Sequence, residues 1–204
     1  MIYAAIIFII CYLIGAINPA IILSKKKLKT DIRELGSGNA GTTNVYRIMG
    51  MPAAILVFVL DLLKVVLAYG LSMGVMKLFN QSELQTLNSF IIGILLGHCY
   101  PIYYGLKGGK GVATMIMAVL LIDKQIAGIC ITVGILMLLF TQTVSKASLT
   151  GAILLPVLTF FLRIELFPVS MFVALFIILK HRSNIKRILD GTESRTFGSK
   201  KNKN

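Results

Sequence analysis

Long apolar runs alternate with short polar stretches along the whole chain. Seven of these runs are predicted to be membrane-spanning helices, at 2–23, 51–76, 89–104, 112–122, 126–140, 149–162 and 166–179. A helix needs about 20 apolar residues to cross a bilayer core, so the run 112–122 is too short to span alone. The pattern predicts an all-α polytopic membrane protein, built as a seven-transmembrane-helix bundle.

The composition agrees with a bilayer environment. Of the 204 residues, 56% are hydrophobic and only 14% are charged, and the mean hydropathy is +0.84. Charged residues usually make up about a quarter of a soluble chain. The net charge of +13 could indicate a nucleic-acid partner, but the basic residues lie in the gaps between apolar runs. Membrane topology explains them better, and no nucleic-acid partner is expected.

The basic residues also predict the orientation of the chain. The first run ends in a lysine cluster: Lys25, Lys26, Lys27 and Lys29. Because lysine and arginine favour the cytoplasmic side, we expect the N-terminus outside and, after seven crossings, the C-terminus in the cytoplasm. Seventeen of the 21 basic residues then lie in cytoplasmic segments, namely 24–50, 105–111, 141–148 and the tail from 180 onward.

The expected localisation is the cell (cytoplasmic) membrane, in which the protein is multi-pass. No internal repeat divides the chain, so we expect a single transmembrane domain at 1–193. The last dozen residues are polar and basic, and they predict a disordered cytoplasmic tail at 194–204.

Two features inside the apolar runs predict local structure. Gly15, Asn18 and Pro19 interrupt the first run and predict a kink or a close helix contact. Asp61 and Lys64 lie three residues apart in the second run, on one helix face. We expect an internal ion pair there, which reduces the cost of two charges in lipid; a proton path is the alternative.

No metal or cofactor is expected. Cys11, Cys99 and Cys130 are far apart in the sequence and embedded in apolar residues. They provide neither a disulfide framework nor the spacing of metal ligands, and we interpret them as small hydrophobic residues.

The first unusual polar stretch is 36–47. Gly36, Gly38 and Gly41 let the backbone turn its N–H groups toward one point, and Arg47 supplies a permanent planar positive charge. Short donors lie between them: Ser37, Asn39, Thr42, Thr43 and Asn44. The stretch is typical of a phosphate cradle, with a polar linker as the alternative. Its formal G-x-G-x-x-G match is accidental, because no βαβ unit fits a chain of apolar spans.

A second glycine-rich stretch precedes the run at 112–122. Its glycines are Gly105, Gly108, Gly109 and Gly111. Lys107 and Lys110 bring positive charge to the start of the helix that follows, which predicts a second anion site. Binding of lipid headgroups is the alternative for these lysines. Because Gly111 follows Lys110 where a P-loop needs Ser or Thr, nucleotide hydrolysis is not expected.

A third polar stretch follows the last apolar run. On a helix, His181, Asn184 and Ile188 lie near one stripe, with Arg187 close by, so His181 and Asn184 could face the bundle together. Interfacial packing is the alternative for a membrane-proximal histidine.

These stretches resemble the three cytoplasmic motifs of the bacterial acyl-phosphate:glycerol-3-phosphate acyltransferase family. The shared residues run in order through nearly the whole chain: Gly36, Ser37, Gly38, Asn39, Gly41, Thr43, Asn44, Arg47, Gly97, His98, Pro101, Lys107, Gly108, Gly109, Lys110, Gly111, Val112, Ala113, Thr114, Ser145, Ser148, Leu149, His181, Asn184, Arg187, Gly191 and Glu193. The small departures, such as Thr42 where alanine is usual, touch no charged position.

The resemblance implies an integral membrane enzyme that transfers a fatty acyl group from acyl phosphate to the 1-hydroxyl of sn-glycerol 3-phosphate. The products are lysophosphatidic acid and phosphate, in the first acylation step of phospholipid synthesis. Both substrates carry phosphate, which fits two cationic glycine-rich loops beside apolar helices. Acyl phosphate is already activated, so positioning and charge stabilisation could suffice without a covalent intermediate.

The residue roles follow as hypotheses. The acyl-phosphate-binding residues are Gly36, Ser37, Gly38, Asn39, Gly41, Thr43 and Asn44, with the N–H groups of 37–41 among the donors. The glycerol-3-phosphate-binding residues are Arg47, Lys107, Gly108, Gly109, Lys110, Gly111, Ser145, His181 and Asn184. The candidate catalytic residues are Ser37, Arg47, Lys110 and His181, and the structural residues are Asp61, Lys64, Arg187 and Glu193. His181 is the candidate general base, with a substrate phosphate oxygen as the alternative.

Two other functions are compatible with such a sequence: a transporter or channel with an inner-face phosphate site, and a non-catalytic scaffold that binds anionic lipid. The polar motifs lie in the expected cytoplasmic loops, and the only ionisable pair inside a run is Asp61 and Lys64. No repeated pair of broken helices marks a midplane site, so transport is disfavoured. The partners expected for the enzyme are its two substrates, membrane lipid and a peripheral enzyme that produces acyl phosphate.

Overall fold

The computed structural model describes residues 2–195, and these residues form helices and connecting loops without a strand. The ten α-helices are α1 (Ile2–Ala16), α2 (Pro19–Leu28), α3 (Thr42–Met49), α4 (Met51–Leu78), α5 (Glu83–Cys99), α6 (Val112–Ile122), α7 (Lys124–Thr141), α8 (Val144–Leu162), α9 (Phe167–Lys180) and α10 (Arg182–Leu189). The predicted all-helical fold is confirmed. The predicted tail lies mostly at 196–204, outside the described residues.

Four helical stretches are long and apolar enough to cross a membrane: Ile2–Leu28, Met51–Leu78, Lys124–Thr141 and Val144–Leu162. The pair Ile164–Lys180 and Arg182–Leu189, bent by 60°, makes a fifth if it is one span. Helix α6 has 11 residues, as predicted, and rises only about 17 Å. By length and composition, the described residues therefore contain four or five spans, and seven crossings stay a prediction.

The contacts divide the chain into two compact units, Met1–Asp123 and Lys124–Asn204. In the first unit, α1 packs closely on α5 through glycines. A Cβ atom at Gly93 would lie 2.7 Å from the Phe8 carbonyl oxygen, and one at Gly97 would overlap the Tyr12 carbonyl oxygen. On α1, a Cβ at Gly15 would lie 2.7 Å from the Ile94 carbonyl oxygen. Only glycine allows the two backbones to approach this closely.

The predicted interruption of the first run is confirmed. Helix α1 ends at Ala16, and α2 begins at Pro19, whose missing N–H suits the first turn of a helix. Asn18 caps α2, because its side-chain oxygen accepts a hydrogen bond from the Ile21 N–H at 3.1 Å. The interruption therefore combines a helix break and the close contact at Gly15.

Several predicted boundaries were wrong near the polar stretches. The loop 24–50 was expected to begin at residue 24, but α2 continues through Lys25, Lys26 and Lys27, whose charges suit a helix C-terminus. The loop 141–148 is also shorter than expected, because α8 begins at Val144 and contains Ser145. By contrast, α10 (Arg182–Leu189) supports the helical arrangement considered for 181–188. Apolar patterns alone miss these polar helical turns.

The second unit contains α7 to α10. Helices α8 and α9 pack against each other on either side of the turn at 163–166. The hydroxyl groups of Thr159 and Ser170, both buried, lie 2.6 Å apart, and the rings of Phe160 and Phe167 meet edge to face. His181 lies at the bend between α9 and α10.

Candidate functional site

Residues 36–41 of the first glycine-rich stretch form a loop of the first unit, and the residues that follow belong to α3, whose Asn44 holds this loop. Asn44 is 1% exposed, and its amide nitrogen donates to the carbonyl oxygens of Ile32 (3.1 Å) and Leu35 (2.9 Å). Its side-chain oxygen accepts the Ser37 N–H at 2.9 Å. Gly36 has φ +59°, and a Cβ there would overlap the Asn44 side chain. Asn44 therefore shapes the loop from within.

The loop is also anchored to the hydrophobic core. Ile32, Ala40 and Val45 are fully buried, in one cluster with residues of α2 and α4. The side-chain nitrogen of Asn18 donates to the Ala40 carbonyl oxygen at 3.3 Å, and the Ser24 hydroxyl accepts the Ile32 N–H at 2.9 Å. A polar linker would not bury these groups, so the linker interpretation of 36–47 was wrong.

Three of the N–H groups predicted to bind acyl phosphate have partners within the loop. The N–H of Ser37 donates to Asn44, that of Gly38 donates to the Leu35 carbonyl oxygen at 3.0 Å, and that of Gly41 donates to the Asn39 carbonyl oxygen at 3.0 Å. These donors hold the turn together. The exposed Ser37 side chain and the half-buried Asn39 and Thr43 remain as candidate contacts with a substrate.

Arg33 joins the short helical turn before the first glycine-rich stretch to the second glycine-rich loop. Its guanidinium makes a two-pronged contact with Asp31, with Nε–Oδ1 at 2.9 Å and Nη2–Oδ2 at 2.8 Å. The remaining nitrogen, Nη1, donates to the carbonyl oxygens of Tyr104 (2.6 Å) and Lys107 (2.9 Å) in the second loop. The Arg33 hydrogen bond holds the pKa of Asp31 well below its usual range, so the carboxylate is ionised.

The second glycine-rich loop lies against the end of α5. The Gly108 N–H donates to the Cys99 carbonyl oxygen (3.2 Å), and the Gly109 N–H donates to the His98 carbonyl oxygen (3.1 Å). A Cβ atom at Gly108 would overlap that same His98 oxygen, and one at Gly109 would overlap the His98 ring. These glycines, predicted to contact glycerol 3-phosphate, thus allow the loop to approach α5. The N–H groups of Gly108 and Gly109 hold the loop against the end of α5.

Three cationic side chains belong to this region. Arg47 is exposed in the last turn of α3. Lys107 is exposed in the second loop, and Lys110 is half-buried just before α6. Gly111 at the start of α6 has φ +84°, a left-handed conformation that glycine adopts without strain. Lys107 and Lys110 therefore place positive charge in the segment just before the N-terminus of α6, where an anion is favoured.

The predicted ion pair of Asp61 and Lys64 is present in α4, with Nζ–Oδ1 at 2.8 Å. Lys64 Nζ also donates to the carbonyl oxygens of Gly15 (3.1 Å) and Ile17 (2.8 Å) and lies 3.0 Å from Nδ1 of His98. The pair thus reaches the broken end of α1 and the end of α5. These further contacts were not predicted.

In the second unit, the Glu193 carboxylate accepts hydrogen bonds from three of the residues singled out in the sequence. Its Oε1 accepts hydrogen bonds from Ser145 Oγ (2.8 Å) and Asn184 Nδ2 (2.6 Å), and its Oε2 accepts one from Arg187 Nε (2.6 Å). Burial would raise the pKa of Glu193, but the hydrogen bonds from Asn184, Ser145 and Arg187 outweigh it and lower that pKa. Ser145 and Asn184 are buried.

His181 is 3% exposed at the bend before α10. Its Nδ1 lies 2.8 Å from the Ile177 carbonyl oxygen. A carbonyl oxygen only accepts hydrogen bonds, so Nδ1 carries a proton, and Nε2 is the nitrogen that can act as a base in the neutral ring. The geometry is compatible with the predicted role.

The structure places the predicted residues in two groups, one in each unit. The group in the first unit contains Arg47, Lys107 and Lys110 beside the glycine-rich loops, and that in the second unit surrounds Glu193. Reasoning from the sequence missed the roles of Arg33 and His98. The Asp-x-Arg pattern at 31–33 was one available signal, since an aspartate before a helical turn commonly caps it. No sequence signal indicated the reach of Arg33 to the second loop.

Comparison with known proteins agrees with the motifs. Residues 5–191 match the profile of a family described as glycerol-3-phosphate acyltransferase. A protein of this name from Thermoanaerobacter pseudethanolicus is 40% identical over 197 residues, which cover 95% of this chain and 96% of the relative. Another from Lactiplantibacillus plantarum is 40% identical over 193 residues, which cover 93% of this chain and 90% of the relative.

Two crystal structures of PlsY, an integral membrane glycerol 3-phosphate acyltransferase, also match. Its glycerol 3-phosphate form has a TM-score of 0.85 and 34% identity, and the match covers 96% of both chains. Its lysophosphatidic acid form has a TM-score of 0.82 and 34% identity, with 96% of this chain and 95% of that chain covered. The present chain therefore belongs to the family of integral membrane glycerol-3-phosphate acyltransferases of the PlsY type.

Proposed function

We propose that the acyl donor is acyl phosphate and that the acceptor is the 1-hydroxyl of sn-glycerol 3-phosphate. The acceptor oxygen attacks the acyl carbonyl carbon, and the bond from that carbon to the phosphate oxygen breaks. Lysophosphatidic acid forms, and inorganic phosphate leaves with the bonding electron pair. The proton of the hydroxyl passes to a base. Because the leaving group is already activated, the step needs no covalent enzyme intermediate.

The observation that carries this proposal is the link between the second glycine-rich loop and the segment 31–35, on which the first loop is held. Arg33 of this segment bonds to the Tyr104 and Lys107 carbonyl oxygens in the second loop. On the other side, Asn44 donates to the Ile32 and Leu35 carbonyl oxygens and accepts the Ser37 N–H of the first loop. Two cationic loops held together suit a reaction in which donor and acceptor both carry phosphate. A single lipid headgroup would need only surface lysines.

In the first unit we assign the acyl phosphate to the first loop, with Ser37, Asn39 and Thr43 as side-chain donors. Arg47 and Lys110 neutralise the phosphate charge of glycerol 3-phosphate, and Asn44 positions the first loop. Arg47 can bind a phosphate through two parallel hydrogen bonds, whereas lysine is a point charge. Replacing Arg47 by Lys should therefore lower kcat/KM by more than tenfold although the charge is kept.

In the second unit we assign Ser145, His181 and Asn184 to glycerol 3-phosphate, with Glu193 as the residue that orients two of them. The base is either His181 Nε2 or a phosphate oxygen of the substrate. A His181→Gln variant distinguishes them: near-normal turnover excludes His181 as the base, whereas a loss of about 100-fold or more in kcat supports it.

The donor is tested directly with purified protein in detergent. Labelled glycerol 3-phosphate is supplied with acyl phosphate or with acyl-CoA of the same chain length, and lysophosphatidic acid is quantified. We expect lysophosphatidic acid when the donor is acyl phosphate and none when the donor is acyl-CoA. Efficient turnover with acyl-CoA would refute the proposed donor and leave the family activity intact. A soluble enzyme that produces acyl phosphate is the expected partner of the membrane protein.

The proposed topology has seven crossings, with the N-terminus outside and the active site on the cytoplasmic face. Its support is that α1–α2, α4, α5, α6, α7, α8 and α9 correspond one to one with the seven predicted runs. Single cysteines placed at Ser37, at Lys110 and at His181 in a variant without native cysteines should react from the same membrane side. Labelling of any one of them from the opposite side would refute the topology.

A further inference from the structure

Three ionisable residues form a buried cluster in the first unit and have no place in the proposed substrate contacts. Asp61 and Lys64 lie on α4, and His98 lies in the last turn of α5. Their exposed fractions are 2%, 7% and 4%. Buried charges are costly, so a cluster of this kind calls for an explanation beyond the pairing of two charges.

The neighbours of Lys64 determine its protonation. Its Nζ lies within 3.1 Å of the Gly15 and Ile17 carbonyl oxygens, 2.8 Å from Asp61 Oδ1 and 3.0 Å from His98 Nδ1. The carboxylate of Asp61 makes an ion pair with Lys64, without hydrogen-bond geometry, and keeps Lys64 an ammonium group. The three N–H donors of this group therefore match its three hydrogen-bond partners: the Gly15 and Ile17 carbonyl oxygens and His98 Nδ1. The carbonyl groups belong to the end of α1, where the helix break removes their usual donors.

The same ammonium group determines the tautomer of His98. Because Lys64 has no lone pair when protonated, Nδ1 of His98 must accept the hydrogen bond and carry no proton. Asp61 Oδ1 is 3.6 Å from Nδ1, too far for a hydrogen bond that would favour the other tautomer. The proton of the neutral ring is therefore on Nε2.

The opposite edge of the His98 ring lies against the second glycine-rich loop. The three atoms nearest to a Cβ built on Gly109 are Nε2, Cδ2 and Cε1 of this ring. The Gly109 N–H also donates to the His98 carbonyl oxygen at 3.1 Å. Ring and backbone of His98 thus contact the residue that immediately precedes Lys110.

We propose that His98 is a positioning residue of the acyl transfer: Lys64 holds its ring as the Nε2–H tautomer, and the ring fixes Gly109 so that Lys110 meets the substrate phosphate. This rests on the proposed function in one respect, the binding of phosphate by Lys110. His98 acts through the loop and does not touch the reacting atoms.

A double-mutant cycle tests the contact between ring and loop. Gly109 does not have a left-handed φ, so its backbone accepts alanine, and the three atoms nearest to the new Cβ all belong to the His98 ring. Gly109→Ala should raise the KM for glycerol 3-phosphate about tenfold with a smaller change in kcat. In a His98→Ala background, the same change should add less than about twofold.

Gly108→Ala is the matched control. Its Cβ would overlap the His98 carbonyl oxygen, which remains when the side chain is removed. Its effect on KM should therefore be the same in both backgrounds. If the effect of Gly109→Ala also persists fully in the His98→Ala background, the ring does not position the loop and the proposal is wrong.

The tautomer is read without substrate, from the ring nitrogen signals of protein labelled with 15N-histidine. We expect a protonated Nε2 for His98 and a protonated Nδ1 for His181, which donates to Ile177. The chain thus contains its own reference for the opposite tautomer. Lys64→Met should move the His98 signals toward the Nδ1–H form and leave those of His181 unchanged.

A His98 Nδ1 that is protonated in the wild-type protein would overturn the proposal, whether or not the Lys64→Met variant folds. Lys110→Met serves to separate the two proposals. If it leaves the KM for glycerol 3-phosphate unchanged, the phosphate-binding role of Lys110 in the proposed function fails. The role of His98 is tested independently of Lys110, by the 15N spectra and by the smaller effect of Gly109→Ala in the His98→Ala background.

Discussion

The polar residues of the two units are held in different ways. In the first unit, the order of the glycine-rich loops is distributed over Asn18, Arg33, Asn44 and the Lys64 cluster, each bonded mainly to backbone carbonyl oxygens. In the second unit, a single carboxylate, that of Glu193, accepts hydrogen bonds from Ser145, Asn184 and Arg187. A distributed network tolerates the loss of one member better than a network that converges on a single side chain.

The difference also concerns the acidic residues. Asp31 lies just before the first glycine-rich stretch, and Glu193 lies close to His181 and Asn184. Both are therefore near residues predicted to attract phosphate, which a carboxylate would repel. In the structure each carboxylate is paired with an arginine, Arg33 or Arg187. An acidic residue close to a predicted anion site can therefore position a neighbouring arginine.

Glu193→Gln should produce the largest loss, because it weakens three hydrogen bonds at once. Hydrogen bonds to a charged group contribute about 1.5–3 kcal/mol each, so a fall of about 100-fold or more in kcat/KM is expected. Steady-state kinetics with acyl phosphate and glycerol 3-phosphate measures it. Asp190→Asn, in an exposed position close by, is the control and should stay within about twofold. Equal effects of the two substitutions would contradict the convergent network.

Arg33→Lys should have an intermediate effect. Lysine keeps the charge but cannot bond to Asp31 and to both carbonyl oxygens of the second loop together. We expect kcat/KM to fall about tenfold while the protein remains folded, since Asn18 and Asn44 still hold the first loop. Lys26→Arg, an exposed charge-conserving change on α2, is the matched control. A loss as large as that of Glu193→Gln would show that the first unit also depends on a single residue.

Acid should weaken the hydrogen bonds of both networks, with a smaller effect than the substitutions above. The pKa of Asp31 lies below its ordinary value of 3.8, and that of Glu193 lies below its ordinary value of 4.5. A depressed pKa contributes stability that is complete above the ordinary value and is lost as the pH falls through the folded-state value. The contribution of these two carboxylates to the melting temperature should therefore be constant above about pH 5 and decrease below about pH 4.

Substitutions to the uncharged amide check this assignment. Glu193→Gln and Asp31→Asn should each lower the melting temperature at neutral pH and reduce its further decline in acid. A variant that retains the full acid-dependent decline would show that its carboxylate does not contribute to it.

The smallest effect on activity is expected from helix packing. Gly97→Ala places a Cβ against the Tyr12 carbonyl oxygen at the contact of α1 and α5, and overpacking of this kind costs about 1–3 kcal/mol. The melting temperature should fall by several degrees, with kcat nearly unchanged in the molecules that remain folded. Gly70→Ala on α4, where a Cβ meets nothing within 4 Å, is the control and should not destabilise the protein. Equal melting temperatures would contradict the tight contact.

The local sequence was sufficient for much of the helical structure. Long apolar runs predict helices because a backbone in lipid must satisfy its own hydrogen bonds, and each of the seven predicted runs contains a helix, although α5 ends at Cys99 within the run 89–104. The break at Asn18 and Pro19 and the pair Asp61–Lys64 were predicted for the same reason, since capping and i,i+3 pairing depend on neighbours in the chain. The three motifs were sufficient to indicate the family.

The tertiary structure determined which polar side chains are used in contacts within the protein and which are left as candidates for substrate binding. Nothing in the spacing of residues 33, 104 and 107 shows that one guanidinium joins them, nor that Asn44 turns inward or that Gly109 rests on the His98 ring. These contacts join residues far apart in the chain, and a hydrogen bond depends on direction and on distances of about 3 Å. A one-dimensional pattern carries neither, so local propensity sets the helices whereas long-range packing sets the roles of their polar side chains.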